Sequence, residues 1–332
     1  MKHVTIILLA ALAAAACAPG SGADGKLVVY SGRGQELVEP LLQRFREQSD
    51  LAVEVRYAGS TELAATLLEE GQNSPADVFF AQDPASLGAV AAAGLLATLP
   101  DEVLGRVPAR FRDAEGRWVG TSGRARVMVY NTEALSEAEL PRSIWELTDP
   151  NWKGRVAIAP TNGSFLAFVS AMILTDGEGR TLEWLEGIAA NDPVIYQSNA
   201  PIVAAADAGE VDLGLVNHYY LLRLEGEQGR VSAANHFLRS GDPGALVMPA
   251  GVGVLTTSQN PAAALEFVRF LLSEEAQRYF SEETFEYPLV SGVPPSTTLP
   301  PLEEIPTPDV NLSHLADTID QATDLVAEAG LL

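Results

Sequence analysis

The segment VDLGLVNHYYLL, residues 211–222, sets Asn217, His218, Tyr219 and Tyr220 in succession at the end of a β-branched run. A phenolate is a hard, anionic oxygen donor, and a small cation of high charge such as ferric iron favours such donors, displacing their protons as it binds. Two adjacent phenols at a junction between strand and helix can both aim at one cation. The same pair also reads as half-buried packing with one ring turned inward, or as aromatic walls around an organic cation. Other chemistry is scarce. Beyond the leader the histidines are His218, His236 and His314, far apart, and Cys17 is the only cysteine. That spacing gives neither a zinc site nor a Cys/His nucleophile. No G-x-G-x-x-G follows a strand, and there is no Walker A sequence and no G-x-S-x-G elbow. An enzyme is not expected.

The elements that must position the pair alternate between strand and helix. KLVVY (26–30), LAVEVRY (51–57) and ADVFF (76–80) read as strands, while ELVEPLLQRF and residues 62–70 read as helices, the first with Val38, Leu41, Leu42 and Phe45 on one stripe. Repeated β-α-β units imply a largely parallel sheet covered by helices, with ligands outside the carboxyl ends of its strands. A second cycle runs through VMVYN (127–131), VAIA (156–159), helices over 165–174, 182–190 and 202–208, and VDLGLV (211–216). ALVMPAGVGVLTT (245–257) and the helical stretch after it return to the first domain. A Pro/Thr-rich segment (293–308) then leads to a final helix over about 315–329. The expected lobes are 26–126 with 248–300, and 127–247 with 301–332, hinged near 127–131 and 247–255.

The chain has 332 residues, of which 47% are hydrophobic and 20% charged, which predicts a folded protein of about two domains. Its 44 acidic against 21 basic residues give a net charge of −23 and make nucleic acid a poor partner. MKHVTIILLAALAAAAC carries an apolar run too short to span a membrane, so residues 1–16 read as a signal peptide. LAAAAC resembles the lipobox of bacterial lipoproteins, which makes Cys17 the expected site of lipid attachment, with 17–25 a flexible tether holding an extracytoplasmic body near the membrane. A single cysteine leaves no internal disulfide.

Seven motifs in register resemble the ferric-ion-binding substrate-binding proteins of bacterial ABC importers: YSGRGQELVEP (30–40), ELAATLLEEGQNSPADVFFAQ (62–82), GRARVMVYN (123–131), PNWKGRVAIAPTNGSF (150–165), AGEVDLGLVNHYY (208–220), DPGALV (242–247) and EYPLVSGV (286–293). The resemblance implies an α/β fold of the two-lobed type II periplasmic-binding-protein kind, with the ligand in the interdomain cleft. It implies Fe(III) on Tyr219 and Tyr220, a synergistic anion such as carbonate or phosphate, and delivery of iron by a monomeric receptor to an ABC permease and its ATPase. Some relatives add a His and a Glu, or a third tyrosine. Those positions hold Gly34, Thr61 (beside Glu62) and Asn162 here, so only two protein ligands are expected, and His218 is not among them. Arg33 and Arg124 are the expected grips on the anion, with a surface or interdomain salt bridge as the other reading of each. Asn162, Gly163 and Ser164 precede a helix whose N-terminus attracts anions, though they also suit capping alone. Asn199 and Asn217 match anion-contacting positions or cap local turns.

Two other functions fit the same sequence. One is an ABC substrate-binding lipoprotein for an organic cation or oxyanion (polyamine, thiamine, phosphonate or sulfate), with Glu62 as the counter-charge for a cation. The other is a lipoprotein with no role in transport.

Overall fold

The computed structural model describes residues 26–49, 51–238, 241–296, 298–305 and 307–332. The leader, Cys17 and the tether lie outside the described residues. The first unit comprises β1 (Lys26–Ser31), α1 (Gln35–Gln48), β2 (Ala52–Tyr57), α2 (Ser60–Glu70), β3 (Val78–Ala81), α3 (Pro84–Ala92) and α4 (Asp101–Leu104), then the long β4 (Val119–Asn131). The second holds β5 (Val156–Ile158), α5 (Gly163–Asp176), α6 (Glu178–Ala190), β6 (Val194–Ile195), α7 (Asn199–Asp207), β7 (Leu213–Asn217), α8 (Tyr219–Gln228) and β8 (Ala233–His236). The chain closes with β9 (Val247–Val254), α9 (Pro261–Leu271), α10 (Glu274–Glu282), β10 (Tyr287–Pro288) and α11 (Leu315–Glu328).

Two lobes share β4. The strand path is β2-β1-β3-β9-β4-β7-β5-β6, with β8 and β10 also on β4. From Val119 to Ala125, β4 pairs antiparallel with β9, and from Arg126 to Tyr130 it pairs antiparallel with β7. The first crossing therefore falls at Ala125/Arg126. The second lies at Leu246, whose carbonyl accepts the Arg126 N–H at 2.8 Å. Of the residues expected as hinges, 127–131 and 247–255, residues 128–130 of β4 lie between β7 and β8 and residues 251–252 of β9 between β3 and β4, while the other residues of these two strand stretches are paired on one side only.

Burial follows the sequence pattern. β3, between parallel β1 and antiparallel β9, is buried along its whole length, and α1 buries the predicted Val38, Leu41, Leu42 and Phe45 stripe. A large core runs through both lobes, and a smaller cluster under α7 joins Val127, Val129, Ile202 and Val216. The single helix read after 257 is two, because Ser273 caps a new one through its hydroxyl to the Ala276 N–H at 3.2 Å. The final segment, assigned from sequence to the second lobe alone, touches both. Ser170 of α5 donates to the Leu315 carbonyl at 2.9 Å, while Ser313 donates to Asp113 at 2.9 Å, and a Cβ on Gly88 of α3 would meet the Ser313 carbonyl at 2.7 Å.

Candidate functional site

Tyr219 and Tyr220 open α8 immediately after β7, and the junction is fixed by His218. The His218 N–H donates to the Ala125 carbonyl at 3.0 Å, and its ring Nδ1 accepts the Ala125 N–H at 3.1 Å, at the point where β4 changes lobes. Nε2 then donates to the Phe285 carbonyl at 2.8 Å, which sets the neutral tautomer. Burial pushes the imidazole down to about 4. With both nitrogens engaged, His218 has no lone pair to offer a metal, and its absence from the expected ligand set acquires a physical reason.

The two tyrosine rings stack, with centroids 4.3 Å apart and planes 26° from parallel. Tyr219 is buried and Tyr220 half-buried. Tyr220 forms part of the wall of a cavity of about 190 Å³ between the lobes. The same cavity is lined by Ser60, Thr61, Gln82 and Asp83 from the first lobe, by Arg124 on the shared strand, and by Asn162, Gly163, Ser164 and Asn217 from the second. Among the described residues no cluster of three His, Cys, Asp or Glu side chains could hold a metal. The anionic oxygen donors this pocket can offer a cation are the Tyr220 phenol, once deprotonated, and the Asp83 carboxylate, which already accepts the Ser86 N–H and hydroxyl.

The second lobe's contribution to the cavity is a polar rim at the start of α5. Asn162 is the N-cap: its Oδ1 accepts the Ser164 N–H at 3.0 Å and the Ser164 hydroxyl at 2.6 Å. Asn199 donates to the same oxygen at 3.2 Å, and its own Oδ1 accepts the Asn217 N–H at 3.0 Å. Asn199 thus stands behind the rim and ties α7, α5 and β7 together. Gly163 and Ser164, expected before the helix, are its first two residues. A Cβ at Gly163 would meet nothing within 4 Å, so the helix N-terminus faces open space.

Three arginines converge here. Arg124, expected ahead of the crossing strand, lies within it, is buried, and donates to the Gln82 carbonyl. Arg126, two residues on and on the same face of β4, is also buried; its Nη1 lies 3.4 Å from both the Ser164 hydroxyl and Asn217 Oδ1. Burial pulls Arg126 down to about 9, and the like charge of Arg124 adds to this while Tyr220 opposes it, so the group remains cationic at neutral pH. Arg33 lies behind the cavity wall, where its Nη2 donates to Glu286 Oε2 at 2.7 Å with both side chains 1% exposed. Burial alone would lift Glu286, but the charges of Arg33 and Arg124 outweigh it and hold the carboxyl below its usual range. Arg33 Nε, Arg124 Nε and Arg126 Nη2 have no hydrogen-bonding partner among the described residues. Buried donors left open in this way suit an acceptor that arrives with the ligand.

Sequence reading missed Arg126 and Glu286. Arg126 was accessible through the period of two from Arg124. Gly34 and Thr61 sit on the first lobe's side, and Glu62 beside Thr61 is exposed.

A family profile described as bacterial extracellular solute-binding protein matches residues 73–311. The sequence is 36% identical over 325 residues to the "Major ferric iron-binding protein" of Neisseria meningitidis serogroup B, covering 97% of this chain and 98% of that protein. It is 34% identical over 319 residues to the "Fe(3+)-binding periplasmic protein" of Serratia marcescens, covering 95% and 93%. Iron-bound HitA from Pseudomonas aeruginosa superposes with a TM-score of 0.86 at 35% identity, over 92% of this chain and 99% of that one. Trichodesmium IdiA (FutA), solved with iron and citrate, gives a TM-score of 0.82 at 29% identity over 92% and 99%. A two-lobed α/β fold with a polar cleft between lobes joined by crossing strands defines a type II periplasmic binding protein. The chain belongs to the bacterial extracellular solute-binding proteins, within the ferric-ion-binding branch of that family.

Proposed function

We propose that this protein is the extracytoplasmic Fe(III) receptor of an ABC importer, holding iron on the Tyr219 and Tyr220 phenolates together with a synergistic anion. The observation that carries the reading is the stacked pair of phenols, of which Tyr220 lines the cavity between the lobes together with Arg124 and the N-terminus of α5. Two phenolates leave one positive charge on Fe(III), and Arg124 and Arg126 add two more, so a multiply charged oxyanion restores balance. Carbonate, phosphate and citrate all have that character. The anion would lie against the α5 N-terminus and the Ser164 hydroxyl, contact Asn217, and be gripped by Arg124 and Arg126. Asn162 and Asn199 hold that rim in place, and Arg33 joins it on exchange of its carboxylate partner. Iron and anion together bridge residues of both lobes and favour the closed state. The receptor, a monomer tethered through a lipid at Cys17, then presents the closed form to a permease driven by its ATPase. Its task is capture and transfer of an ion rather than catalysis.

The test is a visible absorption titration of metal-stripped protein lacking residues 1–17 with a ferric salt, with and without bicarbonate, phosphate or citrate. A saturable tyrosinate-to-iron charge-transfer band that depends on one of these anions is expected, and Tyr219→Phe/Tyr220→Phe should abolish it. Absence of the band under every condition would sink the two-phenolate site and return attention to organic cations and oxyanions as cargo.

A further inference from the structure

We infer that Glu286 is an internal competitor for the anion: a built-in carboxylate that occupies Arg33 in the empty receptor and yields it when an external oxyanion binds. The inference deepens the reading above and rests on it for the place of the anion. Arg33 and Glu286 come from opposite ends of the first lobe's chain, 253 residues apart, yet meet in an almost fully buried pair at 2.7 Å. The pairing is one-pronged. Arg33 Nε and Glu286 Oε1 are both buried without a partner among the described residues, although a planar guanidinium facing a carboxylate readily makes two parallel bonds. A pair built only for stability would close both prongs, since each open one carries a desolvation cost.

The surroundings of the carboxylate let it survive the exchange. Its bonded oxygen, Oε2, also accepts the Ser122 hydroxyl at 2.9 Å, and the Thr284 hydroxyl stands 3.2 Å away. When Arg33 turns to an incoming anion, Ser122 and the nearby positive charge of Arg124 still hold Glu286. The carboxylate is also mechanically linked to the tyrosines. It follows Phe285, which is held at φ 57°, and the carbonyl of Phe285 receives the His218 Nε2–H immediately before Tyr219. Glu286 therefore places one fixed negative charge where Arg33, Arg124, the tyrosine pair and the anion all feel it. Its charge opposes the ligand's and weakens capture, making release easier.

The experiment needs no iron. Calorimetric titration of the metal-free protein with inorganic phosphate, and separately with citrate, compares wild type with Glu286→Gln, which keeps the shape and removes the charge. The dissociation constant should fall about tenfold in Glu286→Gln, and Arg33→Gln placed on top of it should cancel most of the gain. An unchanged or weaker affinity in Glu286→Gln, equal affinities with and without Arg33, or no anion binding by either protein would overturn the inference. If Glu286→Gln does not fold, Ser122→Ala decides the matter. Loss of the hydroxyl makes the carboxylate lean harder on Arg33, so the anion should bind several-fold more weakly, and an unchanged constant would count against the competitor. Failure of the ferric reading shows elsewhere, as a wild-type protein that binds anion but gives no charge-transfer band.

Discussion

Burial holds the Tyr219 phenol far above its ordinary range, with Tyr220 adding to the effect and Arg124 opposing it. The group is protonated at neutral pH, so iron held on it as proposed would have to displace that proton, and binding should strengthen as pH rises. Loading in weakly buffered solution should release protons, with apparent affinity falling through Tyr219 by up to tenfold for each pH unit below neutrality. Proton release measured against iron bound, in wild type and in Tyr219→Phe, checks this; an uptake of protons would contradict it. His218 gives a second pH effect of defined sign. Its folded value of about 4 lies below the ordinary imidazole value near 6.5, so the unfolded chain binds more protons between them. The contribution, roughly 3 kcal/mol at most, is fully present above pH 6.5 and is lost as pH falls toward 4. Metal-free His218→Gln should show a flatter dependence of thermal stability on pH over that window than wild type.

At the scale of elements, β7 presents Asn217 and the tyrosine pair only because α7 lies flat on it at Gly214. A Cβ there would meet Ile202 Cγ2 at 2.2 Å, so Gly214→Val should cost about 3 kcal/mol or more by overpacking and should also weaken anion binding through displaced Asn199. Denaturant unfolding together with anion titration reads both effects. Elements with local signals were legible in the sequence: the α1 stripe, the α5 cap at Asn162, and the strand-to-helix junction ending in Tyr219 and Tyr220. α3 was not, because PASLGAVAA is apolar nearly all round and buried on almost every side, leaving no stripe to see. Arg126 was hidden by taking the crossing strand to begin at 127, whereas β4 starts at Val119 through a polar GTSGRAR stretch that only its neighbours on both sides turn into buried strand. Glu286 carried no local sign at all, since its partner Arg33 belongs to the first turn of the chain and only the return of the chain to that lobe brings them together.

For the whole molecule, the cavity has walls from both lobes, and the proposed ligand would join them. X-ray scattering of protein lacking residues 1–17 should show a smaller radius of gyration with iron and anion together than with either alone, and no such change in Tyr219→Phe/Tyr220→Phe. Equal radii in all states would remove closure from the mechanism.

The final segment adds a third attachment between lobes already joined by two crossing strands. It is bound to α5 through Ser170 and to the first lobe through Ser313 and the close approach at Gly88. In mechanical terms the receptor is a pair of leaves on a pivot with a strap fastened across them. A strap placed there is expected to limit how far the leaves part. Ser170→Ala, which loosens one fastening, should widen the spread of the metal-free state in scattering and quicken the loss of iron to a chelator, with every residue of the pocket unchanged. Such a receptor can be adjusted for speed of delivery far from its cargo.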